Sequence, residues 1–139
     1  MAIREIERLG GVVSTQPKSP AWWRNWAGKE RGTLFEDVDV VNLLSKQATD
    51  VTLGHVCRLT RVRMLNLTHT QVTDAGLAHL KGLTSLERLW LNDTQVTDAG
   101  MRHLLGLTRL QDLELADTKI TDAGVAKLKH ALPEVIIAK

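Results

Sequence analysis

The chain has 139 residues, with 18 lysines and arginines against 16 aspartates and glutamates, for a formal net charge of +2. That length suits one domain with a real core, and the near balance of charge argues against a nucleic-acid binder, which shows a concentrated basic face. The single cysteine, Cys57, cannot form an internal disulfide and fits a reducing compartment. No apolar run approaches the ~20 residues that span a bilayer. The first residues, Met1-Ala2-Ile3-Arg4-Glu5-Ile6, carry charge where a signal peptide needs an apolar stretch. The expectation is a cytoplasmic protein without membrane contact.

In chain order, Ile3, Ile6 and Leu9 form an apolar stripe on a short helix that Gly10-Gly11 ends, and Val12-Val13 begins a strand. After a polar loop, Ser19-Pro20 starts a second helix, with Ser as N-cap and Pro at the first helical position. Trp22, Trp23 and Trp26 lie on it, ahead of everything that repeats. A solenoid needs a cover over its first open end, so residues 1–37 are expected to be an N-terminal cap.

From there one phrase organises the chain. Val72-Thr73-Asp74-Ala75-Gly76 returns as Val96-Thr97-Asp98-Ala99-Gly100 and as Ile120-Thr121-Asp122-Ala123-Gly124, a period of 24 without slippage. Such a period marks a solenoid with one strand and one helical turn or short helix per repeat. Ahead of each phrase runs an apolar frame: Val62, Leu65, Leu67; Leu86, Leu89, Leu91; Leu110, Leu113, Leu115. Val38, Val41 and Leu43 begin a first, degenerate copy, and Leu132 to Ile137 resembles a last strand with a one-residue slip. Residues 38–139 thus divide into about four repeats plus a terminal strand, forming one domain with the cap.

This frame resembles the leucine-rich repeat family, in its bacterial form with a Val-Thr-Asp-Ala-Gly-Leu phrase. The resemblance covers roughly residues 38–139, and Thr70, Thr94 and Thr118 stand where many family members carry Asn. It implies a right-handed α/β solenoid with a parallel concave sheet and short helices on the convex side, capped by the Trp-rich helical segment. It also implies a protein-binding scaffold without catalysis, cofactor or metal.

The residues themselves suggest where such binding would occur. In Leu89-Trp90-Leu91 the strand alternation sends both leucines inward and Trp90 outward. The same register sets Val40, Met64, Arg88 and Asp112 in one outward row, and Asn42, Asn66, Trp90 and Glu114 in the next. A third row holds Leu44, Thr68, Asn92 and Ala116, and a rim row holds Ser45, His69, Asp93 and Asp117. The candidate contact residues are Met64, Asn66, Arg88, Trp90, Asn92, Asp93, Asp112, Glu114 and Asp117; exposed tryptophan is a typical binding anchor. Acids gather toward the C-terminal side, where a basic or mixed protein surface fits.

Other repeated residues read as structural. Thr73, Thr97 and Thr121 suit N-caps, and the Asp after each favours the positive helix end. Gly76, Gly100 and Gly124 fall near the buried side of the helical wheel, where a missing side chain lets backbones approach. His55, His79 and His103 are also 24 apart, on a helix flank, with no Cys or carboxylate repeating beside them to complete a metal site. Nucleophile elbows, phosphate loops and paired cysteines are missing from the sequence, so no catalytic site is expected. The alternatives are a self-associating module, forming a homodimer through an apolar C-terminal edge at Val135, Ile136 and Ile137, and an adaptor fragment of a larger protein.

Overall fold

The computed structural model describes residues 2–14, 38–43 and 47–139. The segment holding Trp22, Trp23 and Trp26 lies outside the described residues, as do Leu44 and Ser45.

Among the described residues, six short strands form one sheet in chain order. They are β1 (Val12–Ser14), β2 (Val40–Asn42), β3 (Met64–Asn66), β4 (Arg88–Trp90), β5 (Asp112–Glu114) and β6 (Ile136–Ala138). From β2 onward every neighbour is parallel and offset by 24 residues: Val41 pairs with Leu65, Leu65 with Leu89, Leu89 with Leu113, and Leu113 with Ile137. The expected slip in the last strand is therefore absent from the pairing. It survives only just before β6, where Val135 is buried and Glu134, the in-frame residue, is exposed. The sheet also departs from an all-parallel one, because β1 runs antiparallel to β2, with Val13 opposite Val41. An antiparallel neighbour falls outside the 24-residue metre, so the repeat pattern carried no signal for it.

One face of this sheet is packed against helices α1 (Ala2–Arg8), α2 (Asp50–Val56), α3 (Asp74–Leu77), α4 (Asp98–Met101) and α5 (Asp122–Ala131). The leucine frame fills the space between: Leu65, Leu67, Leu86, Leu89, Leu91 and Leu115 have no accessible surface, and Leu113 has 1%. Each such burial stabilises by about 1.5–3 kcal/mol. The helical stripe joins them, with Leu77, Leu80 and Leu83 fully buried, although α3 itself is only four residues long and continues as a 3-10 turn over Ala78–Gly82. At the N-terminal end α1 lays Ile6 into the same core at 0% exposure.

Between strand and helix, the threonine of each repeat turns its hydroxyl inward. Thr70, Thr94 and Thr118 donate to the carbonyls of Leu67, Leu91 and Leu115 at 2.6, 2.7 and 2.7 Å, satisfying a turn that would otherwise bury an unpaired acceptor. Thr73, Thr97 and Thr121 then open the helices from extended backbone, their hydroxyls accepting from the N–H of Ala75, Ala99 and Gly124.

The aspartate that follows each cap does more than face a helix dipole. Asp50 accepts from the backbone N–H and hydroxyl of Thr73 at 2.8 and 2.6 Å, across a sequence separation of 23. Asp74 grips Thr97 with the same two distances, and Asp98 grips Thr121 at 2.7 and 2.5 Å. The two donors of Thr121 hold the Asp98 carboxyl below its ordinary range. The glycine column makes the room: a Cβ on Gly76, Gly100 or Gly124 would lie 2.3, 2.4 or 2.2 Å from the carboxylate oxygen of the preceding repeat. Glycine there clears a path for a carboxylate as well as for backbone. Asp122 has no following repeat among the described residues and instead meets Lys139 Nζ at 2.5 Å.

Candidate functional site

The other face of the sheet carries the residues the core rejects. Each strand from β2 to β5 buries its middle residue and turns the outer two away from the helices, leaving them half-buried or exposed. Strand register aligns Met64 with Arg88 and Asp112, and Asn66 with Trp90 and Glu114. Asn92 follows β4, with Asp93 and Asp117 beyond it on the rim. All nine candidate contact residues therefore lie on this face or its rim.

Two further residues join the rows, one read from the sequence only as the start of a strand and the other only as part of an apolar C-terminal edge. Val12 on β1 extends the row of Asn42, Asn66 and Trp90, and Ile136 on β6 extends that of Met64, Arg88 and Asp112. They are 63% and 66% exposed. The place of Val12 in its row was hidden because its strand lies before the first repeat.

Hydrogen bonds tie the polar members to one another. Asn66 Oδ1 accepts from the N–H of Thr68 at 2.9 Å. Asn92 donates to Glu114 at 2.7 Å and accepts from the N–H of Ala116 at 2.9 Å, so one amide links neighbouring strands. Arg88 Nε meets Asp112 at 3.1 Å in a half-exposed pair, and such a pair contributes only about 0–1 kcal/mol. Trp90 is half-buried in its row between Asn66 and Glu114. The rim row has a backbone feature that the repeat pattern did not announce. His69, Asp93 and Asp117 all take left-handed backbone, with φ of 59°, 51° and 54°. Asp and His tolerate that region better than most residues, and the turn presents their side chains outward. His69 Nδ1 meets Asp93 at 2.7 Å.

Away from this face the histidine column stays apart. His103 Nδ1 is buried without a hydrogen-bond partner. Burial pushes its pKa down, helped by the positive charges of Lys81 and Arg102 and opposed by Asp74. At the opposite rim Arg63 holds Glu87 through two bonds of 2.9 and 2.8 Å, keeping that carboxyl below its usual range. Among the described residues no three His, Cys, Asp or Glu side chains converge as metal ligands would. No described helix is long and apolar enough to cross a membrane.

Comparison with known proteins meets this geometry. The family model described as Leucine Rich repeat matches residues 61–80 and 107–129. No curated protein matches the chain. Among solved structures, the Mex67:Mtr2 subunits of Chaetomium align with a TM-score of 0.54 and 14% identity, over 65% of this chain and 69% of that one. An internalin from Listeria monocytogenes aligns with a TM-score of 0.51 and 21% identity, over 75% of this chain and 35% of its own. An LRR protein of Leptospira interrogans aligns at 21% identity with a TM-score of 0.46, over 62% of this chain and 27% of its own. The chain thus spans about a third of the internalin and less of the Leptospira protein. The repeat matches, falling on a largely parallel sheet backed by helices, support a leucine-rich-repeat protein with the α/β solenoid fold.

Proposed function

We propose that the chain is a non-catalytic protein-binding scaffold, and that its partner meets the sheet face through Met64, Asn66, Arg88, Trp90, Asn92, Asp93, Asp112, Glu114 and Asp117. One contrast carries this reading. Inward positions keep the same residue type from strand to strand, as in Val41, Leu65, Leu89, Leu113 and Ile137. The outward row beside them keeps asparagine only from Asn42 to Asn66 and then turns to Trp90 and to Glu114. Packing accounts for the first pattern and leaves the second to recognition. The same reading makes residues 1–37 a capping segment, gives the solenoid a right-handed, concave-sheeted form, and sets the protein in a bacterial cytoplasm.

A second reading rests on Ile136, 66% exposed on β6 at the end of the sheet. There an edge strand could pair with another copy. One pull-down separates the two. Tagged chain is incubated with native lysate plus an untagged copy, beside Trp90→Ala and Glu114→Lys variants. Scaffold binding predicts captured proteins that both variants lose. Unchanged capture by the variants would remove the sheet face as the site, and recovery of only the untagged copy would favour self-association.

A further inference from the structure

Building on the scaffold reading, we infer that the sheet face takes an extended polypeptide segment carrying an apolar residue and, four residues away, a lysine or arginine. Size decides the form of the partner. Five strand spacings of ~4.8 Å make the face about 24 Å wide, and each strand contributes only three residues. That area falls well short of the ~800 Å² per partner of a standard folded interface. An extended chain advancing ~3.3 Å per residue crosses it in about seven residues.

Chemistry decides the order of its side chains. At one end Val12, Val40 and Met64 offer apolar surface on three consecutive strands, with Trp90 on the fourth. Toward the other end, one strand in from the edge strand β6, β5 offers Asp112 and Glu114, neither of them fully buried. From β3 to β5 is two spacings and from β2 to β5 three, or roughly 10 and 14 Å. The longer distance matches four residues of extended chain, a separation that keeps both side chains on one face, as three residues would not. Arg88 sharpens the pattern. It lies between the two ends and is paired to Asp112 at 3.1 Å, so a cation over β4 meets a like charge while one over Glu114 does not.

The test is selection of random nine-residue displayed peptides on the intact chain, with Met64→Asp, Trp90→Ala and Glu114→Lys as comparison baits. The inference expects enriched peptides with an apolar residue and a Lys or Arg four positions apart. Their affinity should fall at least tenfold on Glu114→Lys and on Met64→Asp, and should weaken between 50 and 500 mM salt, about 10-fold or less per screened charge pair. Peptides that need Trp90 but carry no basic residue would overturn the inference and leave the scaffold reading standing. Peptides that bind every variant as well as the parent would overturn both. Enrichment of nothing would also overturn the inference, by pointing to a folded partner or a second copy.

Discussion

Gly100→Ala is expected to destabilise the protein by about 2–3 kcal/mol, although alanine is the better helix former by about 1 kcal/mol. The new methyl would sit 2.4 Å from Asp74 Oδ1 and 2.9 Å from Leu77 Cδ1. Neither neighbour can yield freely: Asp74 is held by two bonds to Thr97, and Leu77 is fully buried. Moving the carboxylate would strand a backbone N–H and a hydroxyl, at about 1–3 kcal/mol for each buried group left unpaired. Thermal unfolding should therefore shift down by roughly 5–10 °C. A double-mutant cycle locates the cause. In an Asp74→Ala background the obstructing oxygen is gone, and Gly100→Ala should cost at least about 1 kcal/mol less. Gly106, with nothing within 4 Å of an added Cβ, serves as the control; Gly106→Ala should stay within about 0.5 kcal/mol. Equal losses at Gly100 and Gly106 would mean that the carboxylate joint plays no part.

Leu89→Ala should cost about 3–4 kcal/mol by denaturant unfolding, within the range for a leucine truncated in a packed core. Leu89 lies on the fourth of six strands, with no accessible surface and with Leu65 and Leu113 as register partners. Little can collapse into the space from either side. Trp90→Ala, one residue along the same strand, removes a larger side chain yet should cost about 1 kcal/mol or less, because that face is open to solvent. A Trp90 loss matching that at Leu89 would place the indole in the core.

Much of this architecture could be read from residue order. The leucine frame named the buried positions of β3, β4 and β5 because a strand alternates faces and the period never slipped, so one correct strand made all of them correct. The threonine caps were legible for the same reason. The aspartate joint was not. Asp74 and Thr97 stand 23 residues apart, and their adjacent partners, Thr73 and Asp98, offer an ordinary capping explanation that satisfies the local pattern. Only when repeats are stacked does the carboxylate meet the next threonine and the next glycine together. The left-handed turns at His69, Asp93 and Asp117 escaped likewise, since two different residue types share one backbone state. On the candidate face the rows were legible from register, and so was a strand at Val12-Val13, while its pairing with β2 required the fold, because nothing in the repeat points backward to an antiparallel neighbour.

Register is the claim on which both the core and the binding face stand, and cross-linking reads it directly. In a Cys57→Ser background, Arg88→Cys with Asp112→Cys places two thiols on facing positions of neighbouring strands, within the ~4.4–6.8 Å Cα separation a disulfide accepts. Arg88→Cys with Leu113→Cys places them on opposite faces, since Leu113 is buried in the core. Under mild oxidation the first pair should close, with the mass loss of two hydrogens, and the second should stay reduced. Closure of the second pair with the first left open would mean a strand slipped by one residue, and the leucine core and the outward rows would both be wrong.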